Sequence, residues 1–327
     1  MSGPKGAARF GAGICCAVLL AWLAGCAQLV PQTMGLRTAW PEGVPRHVEL
    51  TAVPFFPQDE YQCGPAALAT VLSHGGVAIT PEPLVSQVYL PSRHGSLQLE
   101  MLATPRRYGR VSYQLAPRYS DLLREVAAGN PVVVLQDVGP MFTQWHYAVV
   151  NGFDYPSGTL WLRSGKNERQ EMPFTYFERT WVKGGHWGMV VMPPDRIPVT
   201  ATEQGWMSAV LAMARVNDGN AATIAYAAVL KRWPDNLPAA IGLANQHHKR
   251  GALAEAVAVL RQARQRHPQS MIVMNNLAQA LSDQGRHAEA LAQIDKAADP
   301  KSPFAADIRA TRQLILQRMG QRKAGNR

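Results

Sequence analysis

The sequence has few cysteines, and none of them has the spacing of a metal site. Four cysteines occur among 327 residues, and the nine histidines show no ligand-like spacing beyond the adjacent pair His247 and His248. Structural zinc sites use four Cys or His ligands, usually supplied as closely spaced pairs. We therefore expect no metal site and no other cofactor.

Two further features are missing, a basic stripe interleaved with aromatic residues and an apolar run long enough to span a membrane. The formal net charge is +10, but the excess is spread along the chain. Nucleic-acid binding domains concentrate such charge on one face, so we expect no nucleic-acid partner. The apolar run from Phe10 to Leu20 is shorter than the roughly 20 residues that a membrane-spanning helix needs.

Residues 1–25 have the composition of an export signal. Lys5 and Arg9 precede the short apolar run, which ends in Leu23-Ala24-Gly25-Cys26. This ending is similar to the bacterial lipoprotein box, which implies cleavage before Cys26 and a membrane anchor through a lipid on Cys26. The absence of Asp after Cys26 implies a cell-envelope location on the outer membrane, facing the periplasm. A plain signal peptide or an uncleaved anchor is the alternative.

Processing at this site would leave one free thiol, Cys63. Cys15 and Cys16 would be removed with the signal and Cys26 would bear lipid, so no intrachain disulfide could form. Residues 26–46 contain Pro and Gly with little periodicity, and we predict that they form a tether.

Cys63 stands at the predicted start of a helix. Gly64 and Pro65 follow it and precede an Ala/Leu/Val run, and Pro is well suited to the first helical position. The partial positive charge at a helix N-terminus favours a thiolate, so we expect a lowered pKa and nucleophilic chemistry. A buried structural cysteine is the alternative.

The stretch PQDEYQCGPAALATVL, followed much later by QWHYAVVNGFD, resembles the papain-like cysteine peptidases of the C39 type. The resemblance implies an α+β papain-like domain over residues 47–194 and a peptide or protein substrate. It also implies that Cys63 is the nucleophile, His146 the base and Gln58 the oxyanion donor. Gln58 lies five residues before Cys63, whereas the family usually has six, which leaves Gln62 as an alternative donor.

The residue that would orient His146 departs from the family pattern. Asp154 is predicted in a hairpin turn roughly 25 Å along the strand at about 3.3 Å per residue, too far to reach back. A hairpin centred near Tyr155 or Pro156 brings a position at about Ser164 to Gly165 opposite His146, where the family normally has Asp or Asn before Pro. Ser164 could accept a hydrogen bond from the imidazole, and Asn167 is the alternative. Neither group would stabilise an imidazolium as a carboxylate does, so activity could be slow or absent.

Local patterns predict that helices precede strands in this domain. Thr80 is the expected cap of the second helix, with Pro81 at its first position, and Ser120 the expected cap of the fourth. The predicted helices cover 63–74, 81 onward, 97–103 and 120–128, and the predicted strands cover 132–135, 146–150, 159–163 and 189–192.

The C-terminal part of the sequence repeats with a period of 34 residues. Pro234 and Pro268, and Gly251 and Gly285, are each separated by this period. The pattern resembles tetratricopeptide repeats and predicts an all-α solenoid over residues 202–321. Its expected units are 202–236, 237–270 and 271–301, with a capping helix at 304–319. An ordinary helical bundle is the alternative.

These observations predict an exported, lipid-anchored cysteine peptidase that hydrolyses a peptide bond through Cys63 and His146. The tetratricopeptide repeats would recruit a protein partner. Two alternatives use the same residues. The first is a catalytically weak or inactive domain that binds peptides, and the second is a cysteine acyltransferase that passes the acyl group to an amine.

Overall fold

The computed structural model describes residues 30–58, 62–93, 95–216, 219–297 and 301–325. The predicted export signal and Cys26 lie outside these ranges. The described chain separates into two compact units, the first made mainly of residues 30–105 and Ser112–Val191 and the second mainly of residues 201–325. The exact domain limits at 194 and 202 stay predictions. Within the described ranges, no helix is both long and apolar enough to cross a membrane.

The first unit combines helices with an antiparallel sheet. In chain order its elements are α1 (Pro31–Thr38), β1 (His47–Glu49), α2 (Cys63–His74), α3 (Glu82–Val88), β2 (Tyr89–Leu90), β3 (Gly95–Ser96), α4 (Gln98–Arg107), β4 (Val111–Gln114), α5 (Tyr119–Ala127), β5 (Val132–Asp137), β6 (Trp145–Asp154), β7 (Thr159–Ser164), β8 (Asn167–Pro173), α6 (Phe174–Trp181) and β9 (Gly188–Met192).

The main sheet of the described residues has seven strands, and β6 lies at its centre. The strand order is β4-β9-β5-β6-β7-β8, and β1 pairs with the distal end of β6. The neighbours β5 and β7 both run antiparallel to β6. A polar residue at the start of β6 therefore lies beside the end of β7, which places the two chain segments of the candidate site together.

Helix α2 packs inside the first unit. Every residue from Gly64 to Leu72 is buried, and the side chains of Leu68 and Leu72 have no exposed surface. A helix that is apolar on all sides is stable only when it is surrounded by protein. The predicted helix over 63–74 is confirmed, with Cys63 as its first residue.

The prediction of a tether over residues 26–46 is wrong for residues 31–38, which form helix α1. The carboxylate of Glu178 accepts the backbone N–H of Gln32 at 2.9 Å and that of Thr33 at 2.6 Å. Glu178 is fully buried, so a charged side chain from α6 stabilises the otherwise unpaired N–H groups at the start of α1. This contact joins residues 146 and 145 positions apart, which local sequence patterns do not report.

Two predicted caps are also wrong. Helix α5 begins at Tyr119 and its N-cap residue is Arg118, two residues before the predicted cap Ser120. Helix α3 begins at Glu82, with Pro81 rather than Thr80 at the N-cap. The sequence analysis also missed strands β1 to β4, strand β8 and helix α6.

The second unit consists of paired helices, as predicted for tetratricopeptide repeats. Its helices within the described ranges are α7 (Glu203–Ala214), α8 (Asn220–Arg232), α9 (Leu237–Lys249), α10 (Leu253–Arg266), α11 (Met271–Asp283), α12 (His287–Ile294) and α13 (Ala305–Gly325). The first three pairs coincide with the predicted units, and α13 occupies the place of the predicted capping helix.

Each pair in the second unit opens with the same kind of cap. The side-chain oxygens of Thr202, Asn236 and Ser270 accept the backbone N–H three residues later at 3.2, 2.9 and 3.4 Å. These residues follow the period of 34, as do Gly251 and Gly285, whose φ angles of 74° and 79° end the first helix of a pair. The repeat therefore sets the start and the end of these helices.

Candidate active site

The candidate nucleophile, Cys63, is a half-buried free thiol at the N-terminus of α2. Burial raises the pKa of this thiol above its usual value. The backbone N–H groups of Tyr147, Gly64 and Cys63 itself point toward the sulfur and act in the opposite direction, but they do not outweigh desolvation. The expected position at a helix N-terminus is confirmed, whereas the expected lowering of the pKa is wrong.

The candidate base, His146, is the second residue of β6 and pairs across the sheet with Gln136. Burial lowers the pKa of its imidazole, because removal from water disfavours the charged form. Cys63 contacts the backbone of Tyr147, the residue that follows His146. Burial therefore favours the neutral form of each residue, a thiol at Cys63 and an imidazole at His146.

Ser164 lies at the end of β7, beside His146. The His146 Nε2 atom is 2.9 Å from Ser164 Oγ, and Ser164 is 6% exposed. When Nε2 holds the proton it donates to the hydroxyl, which leaves Nδ1 unprotonated and able to accept a proton. The contact that strand geometry predicted is present, and the catalytic role of both residues stays a prediction.

The other residues considered for orienting His146 lie elsewhere. Asp154 accepts the backbone N–H of Ser157 at 2.9 Å and is 3.0 Å from His47 Nδ1 at the opposite end of β6. Asn167 is exposed and pairs with Ser164 at the turn between β7 and β8. The imidazole hydrogen bond goes to Ser164 rather than to either of them.

Gln58, the candidate oxyanion donor, is hydrogen-bonded to the turn between β7 and β8. Its backbone N–H donates to the carbonyl oxygen of Gly165 at 3.1 Å, and the residue is 9% exposed. Gly165 directly follows Ser164, so this bond places the chain before α2 next to the residue that holds His146. Gln62, the alternative donor, is the N-cap residue of α2 and makes no side-chain cap bond there.

Arg163 is a positioning residue that the sequence analysis missed. Its guanidinium, on a residue that is 6% exposed, donates to the carbonyl oxygen of Val53 at 3.1 and 2.9 Å and to that of Thr51 at 3.3 Å. These bonds fasten the segment that leads to Gln58 onto the end of β7. An arginine directly after the apolar run Leu160-Trp161-Leu162 was the available signal, because buried guanidinium groups need several acceptors.

A short hairpin, β2–β3, covers the first turn of α2. A Cβ atom on Gly64 would lie 2.2 Å from Ser96 Oγ and 3.3 Å from Met101 Sδ, so only glycine fits beside Cys63. The phenol of Tyr147 donates to the Ser96 carbonyl oxygen at 3.3 Å. Tyr147 thus contacts Cys63 through its backbone and Ser96 through its side chain.

The loop between β5 and β6 presents apolar side chains just before His146. Asp137 accepts the backbone N–H of Gln144 at 2.8 Å and lies 3.1 Å from Lys183 Nζ, contacts that fix the base of the loop. Met141 and Phe142 at its tip are 85% and 83% exposed. Trp145 is also exposed, whereas Trp181 and Trp187 belong to the core.

Residues 50–188 match the Peptidase_C39 like family, and residues 209–270 and 250–306 match the tetratricopeptide repeat family. The chain therefore joins a C39-like peptidase domain to tetratricopeptide repeats. No curated protein matches the sequence. Among the residues that the structure describes, no group of three or more His, Cys, Asp or Glu side chains is placed to hold a metal ion.

Solved structures resemble either one half of the chain or the other. A Bacillus anthracis protein described as a C39-like peptidase has 18% identity, covers 45% of this chain and 98% of its own, and gives a TM-score of 0.40. The peptidase domain of Streptococcus ComA, a bifunctional ABC transporter of a quorum-sensing pathway, has 20% identity, coverages of 43% and 98%, and a TM-score of 0.35. The TPR2B domain of yeast Sti1, in complex with pHsp70, has 20% identity, coverages of 35% and 96%, and a TM-score of 0.33.

Proposed function

We propose that the C39-like domain hydrolyses a peptide bond through Cys63 and His146. The observation that supports this proposal is the arrangement of three side chains from separate elements. A thiol at the start of a buried helix contacts the backbone next to His146, and the imidazole of His146 is held by Ser164. A nucleophile, a base and a group that orients the base are the parts that cysteine peptidase chemistry needs.

In this mechanism the dyad is neutral until a substrate binds. His146 Nδ1 takes the proton of Cys63 as the sulfur attacks the scissile carbonyl carbon. The C–N bond then breaks, the proton passes from His146 to the leaving amine, and a thioester remains on Cys63. His146 next deprotonates a water molecule that attacks the thioester, which releases the carboxylic acid product and restores the thiol. The Cys63 backbone N–H and the Gln58 side chain would stabilise the oxyanion of each tetrahedral intermediate.

Ser164 would fix the tautomer and the orientation of His146 in this mechanism. A neutral hydroxyl accepts the Nε2 proton but gives an imidazolium less stabilisation than a carboxylate does. Together with the raised pKa of Cys63, this predicts slow turnover on poor substrates. Binding of the correct substrate would have to exclude water and bring the Cys63 thiol within hydrogen-bond distance of His146 Nδ1.

The test is cleavage of synthetic peptides by the full chain, followed by mass spectrometry of new termini. Peptides with small residues before the scissile bond should be cleaved by the parent protein and not by Cys63→Ala or His146→Ala. Ser157→Ala, at the opposite end of the β6–β7 hairpin, is the matched control and should cleave normally. Cleavage by Cys63→Ala at the parent rate would contradict the proposal.

A non-catalytic peptide-binding domain is the second candidate function. The raised pKa of Cys63 and a hydroxyl in place of a carboxylate beside His146 favour it. It predicts that Cys63→Ala binds peptides as the parent does and that the parent releases no products. Acyl transfer, which uses the same thioester, is detected by adding glycinamide and measuring an amide product in place of the acid.

Tetratricopeptide repeats support protein–protein interaction, and in this proposal they recruit a protein partner to the peptidase.

We also propose that Cys26 is lipidated and that the protein faces the periplasm from the outer membrane. Only residues 27–30 separate Cys26 from α1, a reach of about 14 Å when fully extended. The lipid would therefore hold the peptidase close to the membrane surface. Partition into detergent should be lost in Cys26→Ser and retained in Cys63→Ser, and equal partition of the two variants would contradict the anchor.

A further inference from the structure

We infer that Glu100 and Ser96 form a recognition subsite beside Cys63 for a basic side chain of the substrate. The inference rests on the proposed function, because it describes the substrate class that the Cys63 site would take. It starts from two polar atoms near the nucleophile that the proposed chemistry does not use.

The first of these atoms is Glu100 Oε2, on the third residue of α4. It is buried and has no hydrogen-bond partner among the described residues. A carboxylate oxygen that is shielded from water and has no donor is energetically unfavourable. The residue as a whole is only half-buried.

The second atom is Ser96 Oγ, at the end of β3. It too is buried and has no hydrogen-bond partner within the described ranges. Ser96 Oγ lies 2.2 Å from the position that a Cβ atom on Gly64, the residue next to Cys63, would occupy. A hydroxyl can accept a hydrogen bond as well as donate one, so it complements a carboxylate in binding an ammonium or guanidinium group.

Tyr147 connects this pair of residues to Cys63. Its backbone N–H points to the Cys63 sulfur and its phenol donates to the Ser96 carbonyl oxygen. Burial is the main cause that raises the pKa of the Tyr147 phenol, and the nearby charges of Cys63 and Glu100 raise it further, so both groups lie near this phenol. Met101, the residue after Glu100, also faces Gly64.

The position of Glu100 in the helix explains only part of its placement. An acidic residue in the first turn of α4 interacts favourably with the helix dipole. That interaction does not require one oxygen to be buried without a donor. A cationic group with N–H donors would satisfy both the carboxylate charge and its free lone pairs. A substrate that extends across Cys63 presents such a group as a lysine or arginine side chain.

Small thiol reagents of different charge test the subsite without a known substrate. In the full chain carrying Cys15→Ser, Cys16→Ser and Cys26→Ser, Cys63 is the sole thiol. Its rate of modification is measured with methyl, aminoethyl and sulfonatoethyl methanethiosulfonates, which are neutral, cationic and anionic. In each reaction the Cys63 thiolate forms a disulfide with the reagent and releases methanesulfinate.

We expect Glu100→Gln to lower the rate of the aminoethyl reagent, relative to the methyl reagent, by about fivefold or more. The relative rate of the sulfonatoethyl reagent should rise. Glu82→Gln, which removes one exposed carboxylate from the same unit, is the matched control and should leave both ratios within about twofold. Ser96→Ala should change the aminoethyl ratio in the same direction as Glu100→Gln.

Unchanged ratios in Glu100→Gln, with a normal rate for the methyl reagent, would overturn the subsite and leave the proposed function standing. A Cys63 that reacts with none of the reagents would overturn both, because a site that admits no small electrophile admits no substrate. The melting temperature distinguishes a structural role of Glu100 from a role in substrate recognition. We expect Glu100→Gln to melt no lower than the parent, since it removes an unpaired charge, and a marked fall would overturn the inference.

Discussion

His146 Nε2 lies 2.9 Å from Ser164 Oγ, although the two residues are 18 positions apart in the chain. The distance follows from the β6–β7 hairpin, in which Val150 pairs with Leu162 and the register shifts between Val150 and Gly152. The end of β7 thereby meets the start of β6. In the proposed mechanism this contact orients His146 through a neutral hydroxyl, at a position where the resemblance implies Asp or Asn.

Replacing Ser164 by Asp should activate the site. A carboxylate next to His146 stabilises the imidazolium and raises its pKa, which in turn favours the Cys63 thiolate. We expect Cys63 in Ser164→Asp to be alkylated by iodoacetamide at pH 7 about tenfold faster than in the parent. The same substitution combined with His146→Ala is the control and should give no increase. An equal increase in the presence and absence of His146 would show that the carboxylate acts by another route.

The pH dependence of Cys63 alkylation follows from the burial of both residues. Burial raises the pKa of Cys63 and lowers that of His146, so a thiolate–imidazolium pair is disfavoured in the free protein. We expect the alkylation rate to increase with pH through a midpoint above about 8.5, the usual value for a cysteine. His146→Ala should shift this midpoint little, because desolvation is the larger cause. A midpoint well below 8.5 that rises in His146→Ala would instead reveal an ion pair.

The elements that carry strong local signals were predictable from the sequence. Helix α2 has an apolar run after a Gly-Pro start, and the repeats keep caps and glycines at a fixed period. The contact of Ser164 with His146 was predictable because the turn between β6 and β7 is clear in the sequence and antiparallel pairing then brings the end of β7 to the start of β6. The exact register, in which Val149 pairs with Arg163, was not predictable.

The elements that were missed depend on distant contacts or lack an apolar pattern. Helix α1 is short and is stabilised by Glu178 from a far part of the chain. Strand β8 lies at the sheet edge and is mostly exposed and polar, so no alternation of apolar residues identifies it. The prediction of a lowered pKa for Cys63 was wrong for a related reason. The helix N-terminus can be predicted locally, but burial of the thiol by β3 and β6 cannot.

Glu178 should be essential for the attachment of α1. Glu178→Gln keeps one acceptor but removes the charge that faces two N–H groups, so we expect a loss of about 1–3 kcal/mol in the free energy of unfolding. Hydrogen exchange at the amides of Gln32 and Thr33 should accelerate. Glu168→Gln, on an exposed residue, is the matched control and should change neither measurement by much. Unchanged exchange at both amides in Glu178→Gln would show that α1 is held by other contacts.

Gly242 should be required for helix packing in the repeat unit, whereas Gly320 should not. A Cβ on Gly242 in α9 would lie 2.6 Å from the ring of Tyr226 in α8, while one on Gly320 in α13 would meet no atom within 4 Å. Alanine favours a helix over glycine by about 1 kcal/mol at either position, so the difference between the two variants isolates the contact. We expect Gly320→Ala to stabilise the repeats slightly and Gly242→Ala to destabilise them by about 1–3 kcal/mol, measured by urea unfolding of the full chain. Equal stabilisation by both substitutions would mean that Tyr226 moves aside freely, and the close approach of α8 and α9 would then not depend on the glycine.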